Sequence, residues 1–461
     1  MRAVSLGELE RATGGRLGYG RPETTIASIS TDSRTLAPGE LYWALVGEKF
    51  DGHAFLSSAV SAGAGACVVS RDHCPPGLAA EPRLPVLLVP DTLTALGDFA
   101  HAYRKQFHPR VVGITGSVGK TSTKDMLAEI ARVKYRTLAS RANYNNLIGL
   151  PKTLFDLDES VQALILEMGA DRPGEIRRLV EIAEPHIGVI TAISETHLYR
   201  LRDLDGVARE KGELFAGLCG DAPLAIAPFD LARLEKLAPR ARGRLLLVGD
   251  RDGLHLEDLR LNSEGCASGT VVDEDARRYP LELSVPGLHQ ANNALLALAA
   301  GRALGVPLPE GAAALRNYRG FWGRLRPRKV GDYTILEDVY NSNPQSLYAA
   351  LDLLVHMPAG RRIAVLGDML DLGEHSALLH EQCGARLAAL PIDLVFTFGD
   401  ASRLFLSSSQ RAGRDVSRDR HFEDVNQLIA ALKQVLGADD LALVKGSRGM
   451  KMERIVEALC A

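Results

Sequence analysis

Short apolar runs recur along the chain, and most of them are separated by stretches with a helical pattern. Buried runs of this kind, alternating with helices, are typical of parallel strands that are covered on both faces. The pattern therefore predicts an α/β protein. The predicted strands are residues 41–47, 66–70, 111–115, 163–168, 187–191, 224–228, 333–338, 362–367, 394–399 and 441–446.

The pattern of apolar, turn and helical segments changes along the chain and divides it into three parts. A length of 461 residues also favours roughly three domains. Residues 1–90 carry short strands among turn-rich pieces, which predicts a small α/β domain. Residues 91–318 alternate buried strands with helices and predict a larger parallel-sheet domain. Residues 319–461 repeat this alternation on a smaller scale, as in a Rossmann-like, doubly wound sheet.

Two segments of the central part differ from their surroundings. Residues 253–286 are rich in alternating and turn residues, which predicts a small antiparallel annex, and residues 289–305 predict one buried helix. The basic, Gly/Pro-punctuated stretch 316–329 is the expected linker to the last domain.

Composition narrows the class of protein. Lys plus Arg number 54 and Asp plus Glu 57, and a net charge of −3 argues against a dedicated nucleic-acid binder. Glu8 and Glu10 interrupt any signal-peptide core, and no stretch reads as a membrane span, so we expect a cytoplasmic protein. No heptad pattern is present, and we expect a monomer. The scattered cysteines contain no CxxC pair and predict buried, reduced thiols; they are Cys67, Cys74, Cys219, Cys266, Cys383 and Cys460.

The strongest chemical signal is a glycine-rich turn between a buried strand and an amphipathic helix, in VVGITGSVGKTSTKDMLAEIA. Backbone amides of such a turn bind phosphate oxygens, while Lys120 supplies a charge and Thr121 a hydroxyl for magnesium. The GxxxxGK[ST] spacing would need glycine at Ile114, so the pattern that fits is TGxxGKT. This predicts an ATP or GTP site. Its residues are Thr115, Gly116, Ser117, Val118, Gly119, Lys120, Thr121 and Ser122.

Three further residues are candidates for chemistry. Glu167 ends a predicted strand at the ligand-binding edge of a parallel sheet, where its carboxylate suits magnesium. His197 follows another strand, and Lys211 lies in a predicted helix. Taken alone, Glu167 is also compatible with an ordinary strand-end acid, His197 with a structural histidine and Lys211 with a solvated helix lysine.

Together, these motifs resemble the Mur ligase family, the ATP-dependent amino-acid and peptide ligases of bacterial cell-wall assembly. Within it the resemblance favours the branch that joins D-alanyl-D-alanine to UDP-N-acetylmuramoyl-tripeptide, and it covers essentially the whole chain. The motifs are TDSRTLAPGELYWALVGEKFDGH (31–53), TGSVGKTSTK (115–124), NYNNLIGLP (143–151), LEMG (166–169), AREKGELF (208–215), EDVYNSNPQSLYAAL (337–351), LGDMLDLGEHS (366–376) and VKGSRGMKMERIV (444–456).

The resemblance implies an N-terminal UDP-sugar domain, a central ATPase and a C-terminal domain that closes over the site. It implies two magnesium ions, catalytic roles for Lys120, Glu167, His197 and Lys211, and a carbamylated Lys211. The implied metal ligands are Thr121, Glu167, His197 and the Lys211 carbamate. Further implied nucleotide ligands are Asn293, Arg324, Asp338 and Asn341. The implied UDP-binding face consists of Thr31, Ser33, Arg34, Asp51, Gly52 and His53. Asn145 and Asn146 are further implied substrate ligands, and Lys445, Ser447 and Arg448 are the candidates for the dipeptide.

The chain departs from the family pattern at several positions. Thr191 and Gln290 replace asparagines, and Leu147 replaces a common glutamate. The segment HLYRLRD, which begins at His197, replaces HLExFGS, so Tyr199 stands where an acid is common. We expect turnover to be retained while the geometry near the metals and the acceptor preference change. Two other hypotheses are a nucleotide-binding regulatory relative without catalysis, and the same chemistry on a different peptide or amine.

Overall fold

The structure is a computed structural model that describes residues 1–47, 50–73 and 84–461. Cys74, and Glu48 and Lys49 of the 31–53 motif, lie outside the described residues. Among the residues described, no helix combines the length and apolar character needed to cross a membrane.

The described chain is an α/β protein, as predicted. Its strands are β1 (Val4–Ser5), β2 (Arg16–Tyr19), β3 (Thr25–Ile26), β4 (Ile29–Ser30), β5 (Leu41–Trp43), β6 (Ala66–Ser70), β7 (Val86–Val89), β8 (Arg110–Thr115), β9 (Thr137–Ala139), β10 (Ala163–Glu167), β11 (Ile187–Ile190), β12 (Leu224–Pro228), β13 (Arg244–Val248), β14 (His255–Leu261), β15 (Cys266–Val272), β16 (Arg278–Pro286), β17 (Arg326–Val330), β18 (Tyr333–Asp338), β19 (Arg361–Gly367), β20 (Leu394–Phe398), β21 (Arg420–Phe422) and β22 (Asp440–Lys445). Its helices are α1 (Leu6–Thr13), α2 (Leu56–Ser61), α3 (Thr92–Arg104), α4 (Lys120–Arg132), α5 (Gly149–Leu154), α6 (Glu175–Ala183), α7 (Leu198–Leu201), α8 (Leu204–Ala216), α9 (Leu234–Leu237), α10 (His289–Leu304), α11 (Leu308–Leu315), α12 (Pro344–His356), α13 (Ser376–Ala388), α14 (Arg403–Arg411), α15 (Val425–Val435) and α16 (Glu453–Cys460).

The chain forms two compact units. The first comprises Met1–Val111, Arg136–Met168 and Arg177–Glu184. Its five-stranded sheet has the order β2-β7-β6-β5-β4, in which only β2 runs antiparallel to its neighbour. Strands β9 and β10 pair in parallel, and β1 pairs with β3 in an antiparallel ribbon.

The predicted strand 41–47 is shorter than expected, because sheet pairing ends at Trp43. The Leu45 carbonyl instead accepts a hydrogen bond from the Gly52 N–H at 2.8 Å. A Cβ at Gly52 would come within 2.8 Å of the Leu45 backbone nitrogen and oxygen, so this approach requires glycine. The strand ends where the chain turns back toward the 51–53 motif.

The second unit comprises Val112–Tyr135, Gly169–Ile176 and Pro185–Ala461. Its first sheet places parallel strands in the order β13-β12-β11-β8, and the buried helix α10 packs on α4. The expected antiparallel annex is confirmed as β14-β15-β16. The helix predicted over 289–305 is confirmed as α10, which ends at the left-handed Gly305.

The last sheet, also in the second unit, has the order β17-β18-β22-β19-β20-β21 and is parallel except for β17. Its four predicted strands are confirmed to within one residue at each end. The expected linker 316–329 is wrong in its second half, because Arg326–Val330 forms an edge strand. There Arg328 Nε donates to the buried Glu337 carboxylate at 2.7 Å, so the basic residues belong to a strand pair.

None of the five described cysteines forms a disulfide, but not all of them are buried as predicted. Cys67, Cys266 and Cys383 are buried, whereas Cys219 is half-buried and Cys460 is exposed. Cys460 is the last residue of α16 and Cys219 lies in a loop, positions that periodicity alone places poorly.

Candidate active site

The phosphate loop joins β8 to α4 in the predicted place. Gly116 and Gly119 have φ values of 151° and 84°, which disfavour residues with a Cβ. A Cβ at Gly119 would also lie 2.5 Å from Asn293 Oδ1. Lys120 Nζ donates to the Gly116 carbonyl at 2.7 Å, so the ammonium is held over the loop. This geometry suits a bound polyphosphate.

Residues after β11 support the loop from the neighbouring strand. The Thr191 hydroxyl lies within hydrogen-bonding distance of the Thr115 and Val118 carbonyls. Ser117 Oγ donates to the Ser194 carbonyl at 3.0 Å and accepts from the Ser194 N–H at 2.9 Å. The loop is therefore held in place before any ligand binds.

Lys211 lies on α8, a helix capped by Asp203, whose carboxylate accepts from the Gly206 N–H at 2.7 Å. The lysine is 1% exposed. Burial lowers its pKa to about 7, and the positive charge of Lys120 adds to the shift, against the opposing charges of Glu210 and Asp171. A solvated helix lysine is therefore wrong for this position. The uncharged amine is accessible near neutral pH, and that form is nucleophilic.

Stability should depend on pH through Lys211. Between pH 7 and 10.5 the unfolded chain binds a proton that the folded Lys211 does not, so the stability of the folded state rises with pH in that window. In bicarbonate-free buffer, the free energy of unfolding of wild type should rise by up to about 4 kcal/mol more than that of Lys211→Met across this pH window. Urea unfolding at four pH values measures this. If the free energies of unfolding of the two proteins changed equally with pH, the Lys211 amine would not be desolvated in the folded state.

His197 precedes α7 in a left-handed conformation, with φ 54°. Its pKa is lowered first by burial, then by the charge of Lys120, while Asp171 acts in the opposite direction. His197 Nδ1 lies 3.7 Å from Asp171 Oδ1. A neutral imidazole is the form that binds metal ions, so the ring is prepared for that role.

Arg324, a nucleotide candidate, lies between the start of α4 and Tyr340. Its guanidinium carbon stands 4.5 Å from the centroid of the Tyr340 ring, and its Nη2 donates to Thr121 Oγ1 at 3.3 Å. Arg324 Nε is buried and has no hydrogen-bond partner among the described residues. A buried donor of this kind fits an anionic ligand next to the phosphate loop.

Lys445 is buried, and its ammonium group is hydrogen-bonded to other residues of the same unit. Its Nζ donates to Asp338 Oδ2 at 2.6 Å and to the Asn341 carbonyl at 2.9 Å. Ser447 is buried as well, and its Oγ accepts from the Leu370 N–H at 2.8 Å. Of the three dipeptide candidates, only Arg448 is exposed. The contacts of Lys445 position two of the expected nucleotide ligands, the Asp338 side chain and the Asn341 backbone.

His289 was not predicted as a site residue from the sequence. His289 opens α10, and burial lowers its pKa to about 4, with Asp338 opposing the shift and Lys445 and Arg324 adding to it. From the sequence alone, a single histidine at the start of an apolar helix is interpreted as an ordinary structural residue. Only the folded chain brings it near Arg324 and Asp338.

Glu167 belongs to the first unit and is 2% exposed. Its Oε1 accepts from Asn145 Nδ2 at 2.8 Å, while its Oε2 is buried with no hydrogen-bond partner in the described chain. Its backbone N–H donates to Ser140 Oγ at 3.1 Å. An unpaired buried carboxylate oxygen fits a hard cation such as magnesium.

Some of the expected substrate-binding residues stabilise the fold. His53 is buried: its Nδ1 lies 2.6 Å from Asp51 Oδ1, and its Nε2 accepts from the Ser70 N–H at 2.9 Å. Asn146 Oδ1 accepts from the Gly149 N–H at 2.8 Å and starts α5. Both nitrogens of the His53 ring are therefore engaged within the fold.

Three candidates of the UDP-binding face are at least partly exposed. Thr31 and Ser33 are half-buried, and Arg34 is exposed and binds both carboxylate oxygens of Asp32, at 2.9 and 2.7 Å. Thr31 Oγ1 accepts from Lys152 Nζ at 2.7 Å. Lys152 was not singled out by any motif.

No group of three or more His, Cys, Asp or Glu side chains forms a metal-binding cluster in residues 1–47, 50–73 and 84–461. The predicted metal ligands are one threonine, one glutamate, one histidine and a lysine that binds metal only as a carbamate. Such a set is chemically mixed and does not form an ordinary acidic cluster. Of these groups, the Glu167 carboxylate, whose Oε2 has no hydrogen-bond partner in the described chain, is the one that fits magnesium best, because Mg²⁺ prefers oxygen ligands.

Three domains of one family match the chain in order. The Mur ligase family catalytic domain matches residues 25–104, the Mur ligase middle domain 114–301, and the glutamate ligase domain 323–448. These matches cover most of the chain. It belongs to the Mur ligase family.

Relatives within the Mur ligases align over nearly their full length. UDP-N-acetylmuramoyl-tripeptide–D-alanyl-D-alanine ligase of Bacillus subtilis is 36% identical, with 95% of this chain and 94% of the relative covered. The enzyme of the same name from Escherichia coli is 35% identical, with 100% and 99% covered.

Solved Mur ligase structures agree with the fold. MurF from Acinetobacter baumannii superposes with a TM-score of 0.90 at 28% identity, covering 100% of this chain and 99% of that one. MurF ligase from Thermotoga maritima in complex with ADP gives 0.81 at 26% identity, covering 94% and 96%. The three-domain Mur ligase architecture is therefore the fold of this chain.

Several departures from the Mur ligase pattern have a structural account. Gln290 Oε1 accepts from Asn293 Nδ2 at 3.0 Å and so orients the asparagine beside the phosphate loop. Leu147 is half-buried before α5. Tyr199 is 76% exposed, so its ring does not take the place of an acid beside His197.

Helix α7, which carries Tyr199, packs against the turn at residues 373–375. The approach is close, because a Cβ at Gly373 would lie 3.0 Å from Tyr199 Cα.

Arg202 occupies the position of the glycine in HLExFGS. Its φ of 72° and ψ of −61° are those of a γ-turn, and the Asp203 N–H donates to the Leu201 carbonyl at 3.0 Å. This conformation is strained for a residue with a Cβ. The strained corner lies between His197 and the helix that carries Lys211.

Arg202→Gly should stabilise the protein by about 1 kcal/mol, because the relief of backbone strain exceeds the entropy cost of glycine. The midpoint of guanidinium unfolding measures this. The matched control is Arg209→Gly, at an exposed position with regular helical geometry on α8, which should destabilise by about 1 kcal/mol. The same sign for both variants would contradict the strained turn.

Proposed function

We propose that this protein is an ATP-dependent ligase that joins D-alanyl-D-alanine to UDP-N-acetylmuramoyl-tripeptide, producing the UDP-linked pentapeptide, ADP and phosphate. The proposal rests on one observation in the second unit: a preformed phosphate loop that holds the Lys120 ammonium 2.7 Å from the Gly116 carbonyl. The charge of Lys120 also contributes to the lowered pKa values of the buried Lys211 and of His197. The names of the full-length relatives support the choice of substrates.

The chemistry requires activation of a carboxylate, because oxide is a poor leaving group. A carboxylate oxygen of the tripeptide attacks the γ-phosphorus of ATP, the bond to ADP breaks, and an acyl phosphate forms. The amine of D-alanyl-D-alanine then attacks the carbonyl carbon, loses a proton and expels phosphate. Positioning and charge stabilisation are the protein's main contributions.

Each residue has a defined part in this proposal. Lys120 and the loop amides bind the β- and γ-phosphates, and Arg324 adds its unpaired Nε. Thr121, Glu167, His197 and the carbamate of Lys211 would hold two magnesium ions. These ions would neutralise the charge of the transferring phosphoryl group. Carbamylation needs an uncharged amine that attacks carbon dioxide, and the lowered pKa of Lys211 supplies it.

The domain limits remain those of the sequence: 1–90 for the UDP-sugar, 91–318 for ATP and 319–461 for the closing domain. We place the reaction in the cytoplasm, where ATP is available. The reduced state of the described cysteines agrees with a reducing compartment; they are Cys67, Cys219, Cys266, Cys383 and Cys460.

Phosphate release in the presence of ATP, the UDP-linked tripeptide and D-alanyl-D-alanine tests the proposal. Release should require all three, and the product mass should equal the two substrates less one water. With an ¹⁸O-labelled acceptor carboxylate, one label should appear in phosphate. ATP-binding protein without such release would reject the ligase in favour of a regulatory relative. A panel of acceptor peptides and amines, read by mass spectrometry, would reveal other substrates.

A further inference from the structure

Lys152 brings an ammonium group to the first of the UDP-sugar candidates. It lies on α5, is half-buried, and its Nζ donates to Thr31 Oγ1 at 2.7 Å. Burial lowers the pKa of this lysine, and the charge of Asp32 acts in the opposite direction. The residue thus bears a desolvation cost that its one neutral partner, Thr31, does not offset.

The neighbouring acid is already committed. Asp32 accepts from Arg34 Nε, Arg34 Nη2 and the Arg34 N–H, and these bonds lower its pKa to about 2. Lys152 makes no ion pair in the part of the chain that the structure describes. A half-buried cation whose nearest acid is occupied has charge available for an anionic ligand.

The position of α5 in the first unit indicates which anion this is. At the start of the segment, Asn145 holds Glu167, whose free Oε2 fits a metal ion at the reacting carboxylate. At its other end, Lys152 reaches Thr31. A UDP-linked acceptor carries its reacting carboxylate at one end and its nucleotide at the other. The anionic group next to the nucleoside is the diphosphate.

We propose that Lys152 and Thr31 together bind the diphosphate of the UDP-linked acceptor. The choice of diphosphate rests on the proposed function. Thr31 Oγ1 accepts from Lys152, so its own O–H remains able to donate to a phosphate oxygen. The ammonium supplies a point charge that binds phosphate without bidentate geometry. Lys152 is therefore a substrate-binding residue that discriminates UDP from uridine.

Calorimetric titration of the full-length protein with UDP and with uridine tests this directly. Wild type should bind UDP more tightly than uridine by about tenfold or more. Lys152→Gln should lose most of that ratio while its affinity for uridine is unchanged, and Lys152→Arg should keep it. The matched control is Lys105→Gln, a lysine of the same unit that is exposed and paired with Glu184, which should leave the ratio unchanged.

Thr31→Val provides a second test that leaves Lys152 in place. It should weaken UDP binding and leave uridine binding unchanged. A wild-type ratio in both Lys152→Gln and Thr31→Val would overturn the proposal, as would equal loss of UDP and uridine affinity or the absence of UDP binding to wild type. If phosphate release fails but the ratio still depends on Lys152, the ligase function falls and the diphosphate site stands.

Discussion

Lys120→Ala should lower kcat/KM for phosphate release by at least about 100-fold, because a charged donor next to the transferring phosphoryl group is lost. In the folded chain this ammonium sits 2.7 Å from the Gly116 carbonyl, over a loop that Thr191 and Ser194 already hold. The loop should therefore keep its shape in the variant. Phosphate release at saturating concentrations of both other substrates measures the effect.

Lys134→Ala is the matched control for this variant. Lys134 follows the same helix, is exposed, and donates to the Gly305 carbonyl at 2.9 Å, remote from the loop glycines along the chain. It should keep activity within about twofold, as expected of a surface substitution. If Lys120→Ala retained activity comparable to that of Lys134→Ala, the phosphate loop would not be the site of turnover.

Strand positions in the two large sheets were predictable because their apolar runs are buried on both faces. The edge strand β17 was not, because its exposed basic residues resemble a linker. Its pairing depends on a contact between Arg328 and the buried Glu337, which no local pattern reveals. The half-buried β9 and β13 also went unpredicted, although for different reasons: β9 has only three residues, whereas β13 carries a short apolar run, Leu245 to Val248, that was not recognised as a strand.

The site shows the same division between local and tertiary information. The phosphate loop is local, so spacing alone located Thr115 to Ser122. The roles of His53 and Lys445 depend on partners distant in sequence, Ser70 and Asp338, and the structure shows both side chains engaged within the fold. Lys152 was not predicted from the sequence because its partner, Thr31, lies 121 residues away. Motif residues and buried structural residues look alike until the partners are known.

Lys211 illustrates how burial changes the meaning of a side chain. In sequence it is one of several lysines on helical stretches, whereas in the fold it is almost fully enclosed. The carboxylate of the preceding residue, Glu210, does not pair with it, because it accepts from the Gly174 and Ile176 N–H groups, both at 2.7 Å. An enclosed lysine next to an acid that is already hydrogen-bonded needs a functional explanation, and the proposed carbamylation is one.

Lys211→Ala should lower ligase activity by at least about 100-fold, since the proposed carbamate ligand of the metal ions would be lost. Lys211→Arg should be equally inactive, because a guanidinium stays charged and forms no carbamate. Wild-type activity should fall in buffer depleted of carbon dioxide and return when bicarbonate is added. A short carboxylate such as acetate should partly restore Lys211→Ala by occupying the vacated space.

The control for these variants is Lys236→Ala, at an exposed lysine on α9 that pairs with Asp205. It should respond to neither bicarbonate nor acetate and should keep near wild-type activity. Full activity of Lys211→Ala would exclude the carbamate outright. An inactive Lys211→Ala, combined with wild-type activity that is indifferent to carbon dioxide, would make the free amine the functional group. The pH dependence of unfolding distinguishes the same two states without turnover, because only the free amine titrates near pH 7. A carbamate trapped in the folded protein would therefore flatten the stability difference between wild type and Lys211→Met.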